Sequence, residues 1–139
     1  MKLLMLVNTK LSNTMDVSET VGIIDAFKEL GHSIVAFETD GDFEEVLKQE
    51  DDFDFIFIAK NITYRVQYIR RLKEVFSCPS IYWMSDYIDN FSEIEPWVKE
   101  LAEEVDIWLG IQMDTPLWFR DKKVKYHFWN FCKDRKSVV

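Results

Sequence analysis

A chain of 139 residues, 47% hydrophobic and 30% charged, has room for one folded domain with a real core and not for two. Its net charge of −8 argues against general affinity for nucleic acid or an anionic membrane surface. The opening MKLLMLVNTK carries too short an apolar run for a signal peptide or a membrane span, and Cys78 and Cys132, with only His32 and His127 to join them, have no metal-ligand spacing. The expectation is a cytoplasmic protein with reduced thiols and no bound metal.

In chain order, KLLMLV (Lys2 to Val7) is a short continuous apolar run, the mark of a strand buried on both faces. After a polar loop, Asp16 followed by Glu19 predicts a capping-box start. Val21, Ile24 and Phe27, flanked by Ile23 and Leu30, then carry a helix to a terminating Gly31. HSIVAFE reads as a second strand, DFEEVLKQE as a short acidic helix and FDFIFIA as a third strand. A helix from about Tyr64 to Phe76 with Tyr68, Leu72 and Val75 on one face comes next, and Pro79 resets the chain for the strand SIYWM. Ser92 and Glu95 predict another capping box, ahead of a stripe of Ile94, Trp97, Val98 and Leu101. VDIWLGI is a fifth strand, Thr115 and Pro116 read as N-cap and N1 of a short helix, and VKYHFW is a sixth strand. Strict alternation predicts an α/β domain of three layers, a mostly parallel six-stranded Rossmann-like sheet with helices on both faces. A flavodoxin-like succession of strands is the second expectation.

Ligands of such sheets sit at the carboxyl ends of the strands, so the loops after the strands supply the candidates. They are Asn8, Thr9 and Lys10 after the first strand, Lys60, Asn61 and Arg65 after the third, Asp86 and Tyr87 after the fourth, and Gln112 after the fifth, with Trp83 on the fourth strand itself. Amides, hydroxyls, cations and aromatic planes suit a polar ring-shaped ligand such as a sugar or nucleoside. Each also has a plainer role: the first loop is rich in turn formers, Lys60 and Arg65 can be solvated, Trp83 can be core, and Asp86 can cap a turn.

Several chemistries are excluded. The first loop lacks the G-x-G-x-x-G that lets a backbone approach a pyrophosphate, and no G-x-x-x-x-G-K-[ST] phosphate loop exists. Asn8 and Lys60 stand where a phosphate-accepting receiver needs acids, and no serine elbow or Cys–His pair is legible. The loop TKLSNT has hydroxyls for a flavin phosphate but no glycine to admit it. No cofactor is expected, and His32, at a helix-to-strand corner, reads as structural.

KLLMLV followed by IIDAFKELGHSIVAFE resembles the opening of GT-B-fold glycosyltransferases, FDFIFIAK resembles their third strand, and SIYWMSDYIDN with VDIWLGIQMD resembles segments in the amino-terminal domains of the spore-maturation, CgeB-like group. The resemblance implies that residues 1–139 form a single acceptor-side Rossmann-like domain, with the nucleotide-sugar half absent from this sequence. It implies a sugar acceptor as ligand, Asp86 as a candidate general base, and incompetence for transfer without a partner domain. Residues from Leu117 onward carry seven Lys/Arg against two acids, a basic aromatic strip fit to face that half or a partner chain. The alternative is a non-catalytic, flavodoxin-like binding or scaffold module that self-associates through its aromatic surplus.

Overall fold

A computed structural model of the chain describes residues 1–7, 14–38, 43–59, 66–84, 88 and 94–128, with side chains from Val21 onward in the first helix. The elements run β1 (Lys2–Val7), α1 (Thr14–Glu29), β2 (Ser33–Glu38), α2 (Phe43–Leu47), β3 (Phe55–Ala59), α3 (Val66–Val75), β4 (Ser80–Met84), α4 (Pro96–Glu104), β5 (Ile107–Gly110), α5 (Leu117–Asp121) and β6 (Tyr126–Phe128). All strand pairings are parallel and form one six-stranded sheet in the order β2-β1-β3-β4-β5-β6. The sheet is the Rossmann-like layer the alternation predicts. Its first five strands follow the flavodoxin-type succession, and β6 extends that series past β5.

Crossovers between parallel strands are right-handed, so the direction of each step across the sheet decides which face its helix covers. Only β1 to β2 steps toward one edge; every later connection steps toward the other. The packing follows this rule. Val46 of α2, Ile69 and Leu72 of α3, Val98, Leu101 and Ala102 of α4 and Phe119 of α5 pack with Leu4, Leu6, Ile56, Ile58, Tyr82, Met84 and Trp108. On the opposite face Ile23 of α1 packs with Leu3, Met5, Val7, Phe57, Ala59 and Trp83. One face therefore has four described helices and the other has one.

A helix is about 10 Å across and strands are about 4.8 Å apart, so a single helix covers roughly two strands. The burial patterns record the consequence. β1 and β3 are buried along both faces except at their first residues, whereas β5 alternates, with Ile107 and Leu109 half-buried and Trp108 and Gly110 buried. Ile81 of β4, paired with Phe57 and Ile107, is half-buried on the same side.

Several local expectations are corrected. α1 starts at Thr14, ahead of Asp16, so Asp16 lies within the helix. Its inward face is Ile23 with Ile24 and Phe27, while Val21 and Leu30 are 41% and 72% exposed. In α3 the buried residues are Ile69 and Leu72, and Val75 points outward. α4 takes Glu95 as N-cap with Pro96 following, and the favourable proline φ at the first helical position starts this helix; Ser92 of the expected capping box lies outside the described residues. α5 likewise has Pro116 as its N-cap, one residue later than Thr115. Gly31 adopts φ +89° and ends α1 as expected.

The amino-terminal rim of the sheet is tied by carboxylates. Asp54 accepts from Lys2 N at 2.7 Å, Asp51 from Ser77 N at 3.1 Å, and Asp106 from Ser80 N at 2.7 Å and Ser80 Oγ at 3.1 Å. Glu104 at the end of α4 receives Arg70 Nε at 2.9 Å, and this ion pair holds its carboxyl below the usual range. His32 stands at the same rim, its Nδ1 accepting from the Met1 ammonium at 3.0 Å and its ring edge-on to Phe27.

The inward face of α1 sets a test. Ile23→Ala should lower unfolding free energy by about 3 kcal/mol, and Val21→Ala by less than about 0.5 kcal/mol, measured as urea midpoints. Equal losses would show that α1 is rotated from this face.

Candidate functional site

The carboxyl ends of β1, β3, β4 and β5 lie side by side, because Leu6 pairs with Ile58, Ala59 with Trp83, and Met84 with Gly110. The strand order reverses between β1 and β3, where a doubly wound sheet opens a crevice. The candidates Asn8, Thr9, Lys10, Lys60, Asn61, Arg65, Asp86 and Tyr87 follow these strand ends in sequence and lie outside the described residues. Trp83 and Gln112 are the two candidates within them.

Trp83 is 5% exposed and packs on the α1 face with Phe57, Ala59 and Val7. Strand alternation explains this: Tyr82 and Met84 face the layer of four helices, so Trp83 faces α1. Its indole is part of the core on the α1 face, near the carboxyl end of β4.

Gln112 is 8% exposed and spans two segments. Its Oε1 accepts from Ile88 N at 2.9 Å and its Nε2 donates to Ile88 O at 2.8 Å, so the side-chain amide pairs with a whole peptide position as a strand neighbour would. Its own backbone is held in turn by Tyr126 of β6, whose Oη accepts from Gln112 N at 3.0 Å and donates to Gln112 O at 2.8 Å. Burial raises the Tyr126 phenol above its ordinary range, with the Gln112 N–H that donates to its oxygen acting in the opposite direction. The phenol therefore stays protonated, and able to donate, through neutral and moderately alkaline pH.

Gly110 makes this arrangement possible. A Cβ there would stand 2.2 Å from Tyr126 Oη, so the ring crosses the end of β5 only because position 110 has no side chain. Composition alone gave no signal for the Gly110–Tyr126–Gln112–Ile88 series. Tyr126 falls sixteen residues after Gly110 in the sequence, and the parallel pairing of β5 with β6 brings them together.

Large apolar side chains also collect at this end. Trp97 in the first turn of α4, Met113 after β5, Leu117 at the start of α5 and Phe128 at the end of β6 are 37%, 81%, 52% and 45% exposed. α4 and α5 are neighbours here, with Lys99 Nζ 5.8 Å from the Trp118 ring centroid. Exposed apolar side chains gathered at one rim mark a contact surface more often than singly scattered ones do.

Nucleophilic and metal chemistry find little support in the described residues. No cluster of three or more His, Cys, Asp or Glu suited to a metal occurs among them. The Cys78 thiol is pushed up, first by burial and then by the Asp51 charge, and so is protonated at neutral pH.

No protein-family model matches the chain, and no curated relative matches it. Solved structures share its fold. An α-glucosyltransferase in complex with UDP-glucose and DNA containing an abasic site superposes with a TM-score of 0.63 at 13% identity, over 94% of this chain and 42% of that one. The α-glucosyltransferase in complex with UDP and a 13-mer DNA gives 0.61 at 12% identity, over 94% and 42%. A fusion carrying a yeast Spc42 trimeric coiled-coil segment gives 0.54 at 13% identity, over 86% and 72%. The chain thus shares its Rossmann-like fold with these structures and spans less than half the length of the α-glucosyltransferases among them.

The series across the β5 end predicts coupled losses. Gln112→Ala leaves the Ile88 N–H and carbonyl without their partner and should cost about 2 kcal/mol of stability. Gly110→Ala should displace the Tyr126 ring and, combined with Gln112→Ala, cost less than the two changes summed, by at least about 0.5 kcal/mol. Strict additivity in urea unfolding would sever the link between Tyr126 and the Ile88 bonds.

Proposed function

We propose that this chain is the acceptor-side domain of a glycosyltransferase-like protein, of the CgeB-like type, acting in the cytoplasm and incompetent for transfer alone. The observation that carries this reading is a fold shared over 94% of the chain with α-glucosyltransferases, of which it spans 42%. A single Rossmann-like unit offers one wall of a cleft. Transfer needs donor and acceptor held in one geometry, which takes a second wall from a further domain or a partner chain. The apolar rim of Trp97, Met113, Leu117 and Phe128 fits that use, since it borders the strand ends from which the candidate loops leave.

In this proposal the polar residues after β1 and β3, Asn8, Thr9, Lys10, Lys60, Asn61 and Arg65, bind the hydroxyls of a sugar acceptor. Asp86 accepts a hydroxyl proton as general base, and Tyr87 lies against the sugar ring. Gln112 contributes by holding Ile88, two residues beyond Asp86 in sequence, at the end of β5. Trp83 contributes as the support beneath. No nucleotide-sugar site, metal or cofactor is assigned to this chain.

The strand succession favours a second reading, in which the chain is a flavodoxin-like binding or scaffold module that pairs with itself through the apolar rim. Isothermal titration with simple glycans, UDP-glucose and a short DNA duplex separates the two, with sedimentation velocity giving the assembly state. The acceptor-domain reading expects glycan binding that weakens at least about tenfold in Asp86→Ala, the scale of a lost charge-assisted hydrogen bond. DNA binding is not expected at a net charge of −8. A tight dimer that binds no glycan would overturn the acceptor reading in favour of the module.

A further inference from the structure

We propose that two copies of this chain pair amino rim to amino rim about a two-fold axis, with the basic turn between α5 and β6 of each set against the acidic residues that precede β3 of the other. The inference is independent of the sugar-transfer reading, which uses the opposite rim.

The turn has the composition of a contact surface. Residues 120–125, RDKKVK, hold four Lys/Arg against one acid, Asp121, in a chain of net charge −8. Arg120, Lys122, Lys123 and Lys125 are all exposed. Elsewhere Lys2, Lys48, Arg70, Arg71 and Lys73 each sit in an ion pair, whereas these four make none among the described residues; Arg120 donates to Thr115 O instead. Lys123 adopts φ +57°, the one positive φ outside glycine among the described residues. Glycine or asparagine meets that conformation at lower cost, so a lysine there runs against local preference, as functional positions do.

The backbone beneath is ordered before any partner arrives. Lys122 N donates to Trp118 O at 3.0 Å, Lys123 N to Arg120 O at 3.3 Å, Val124 N to Phe119 O at 3.0 Å, and Trp108 N to Lys125 O at 2.8 Å. With these N–H groups satisfied, the turn has no nest of free donors to enclose a discrete anion. Its lysines are flexible point charges, suited to a broad acidic surface.

Such a surface stands on the same rim, because Lys125 precedes β6 and Asp54 precedes β3 in an all-parallel sheet. Residues 50–54, EDDFD, carry four carboxylates and no Lys/Arg, and Glu50, Asp51, Asp52 and Asp54 are exposed. Asp51 and Asp54 accept backbone N–H groups and Asp52 pairs with Lys2. A carboxylate has about four acceptor sites, so each keeps capacity for a partner. Asp106 lies between the two patches, its carboxylate engaged with Ser80. β3 and β6 are three strand spacings apart, about 14 Å, which exceeds the Debye length of about 10 Å at about 0.1 M salt. One chain therefore does not neutralise its own acids with its own turn. A two-fold axis between the patches does so twice, laying each turn on the other copy's acids. At that salt the net charge of each chain is largely screened, while contacts at the rim are not.

Sedimentation velocity measures the pairing. At about 0.1 M salt the unsubstituted chain should show a concentration-dependent monomer–dimer equilibrium. Raising the salt to about 1 M, where the Debye length is about 3 Å, should raise the Kd at least about tenfold. Lys123→Glu with Lys125→Glu should abolish the dimer at the same concentrations, with far-UV circular dichroism unchanged. Adding Glu50→Lys and Asp52→Lys to that variant should restore association. Asp25→Lys and Asp114→Lys, exposed positions on α1 and at the carboxyl rim that change the net charge equally, should not. Met113→Ser with Leu117→Ser should leave the dimer intact. A monomer at every concentration up to about 1 mM, the weak end of specific association, would overturn the proposal. So would a dimer indifferent to the turn variant, or one lost with Met113 and Leu117, which would assign it to the apolar rim. Binding of a short DNA duplex by the unsubstituted monomer, lost in the turn variant, would give the turn to nucleic acid and overturn it too.

Discussion

The handedness of parallel crossovers is the constraint on which the rest of this domain depends. A right-twisted sheet admits the returning helix on one side only for a given direction of travel. The chain steps toward one edge once, from β1 to β2, and toward the other ever after. From that follow the reversal of strand order between β1 and β3 and the unequal covering of the two faces by the described helices. Four described helices bury Tyr82 and Trp108 completely on one side, and among the described residues α1 is the one helix on the other.

The two rims of the sheet have opposite characters. At the amino end, carboxylates of Asp51, Asp54 and Asp106 accept backbone N–H groups, and His32 accepts from the chain's own ammonium. These polar groups are used in closing turns, so the acidic residues there serve the fold. At the carboxyl end, by contrast, Gln112 and Tyr126 hold one connection while four large apolar side chains stand exposed. Solvated apolar surface is tolerated singly and becomes informative when it gathers at the end of the sheet where ligands and partner domains bind.

Fold likeness and function stay distinct here. A Rossmann-like unit hosts many activities, and only the residues at its strand tips separate them. Of the site, the sequence made legible the strand ends and the residue types that follow them. Trp83 and Gln112 show what it left open. Alternation places Trp83 on one face or the other, but which face lies under α1 depends on the crossover direction. Gln112 reads as one more polar loop residue until the β4 and β5 ends are set side by side, when its amide meets the Ile88 peptide. Sequence separation hides such pairs because parallel strands bring together residues that are a whole helix apart.

Local signals by themselves determined the class of fold: continuous apolar runs for buried strands, helical spacing between them, and a glycine with positive φ closing α1. They also pointed to a mostly parallel sheet, since each pair of runs is separated by enough chain for a crossover. What only the tertiary structure decided was the succession of strands, the rotation of α1 that buries Ile23 and leaves Val21 outside, and the crossing of Tyr126 over Gly110. The physical reason is range. Hydrophobic period and turn chemistry act over a few residues, whereas strand order and helix rotation are settled by which apolar surfaces meet once the layers have packed.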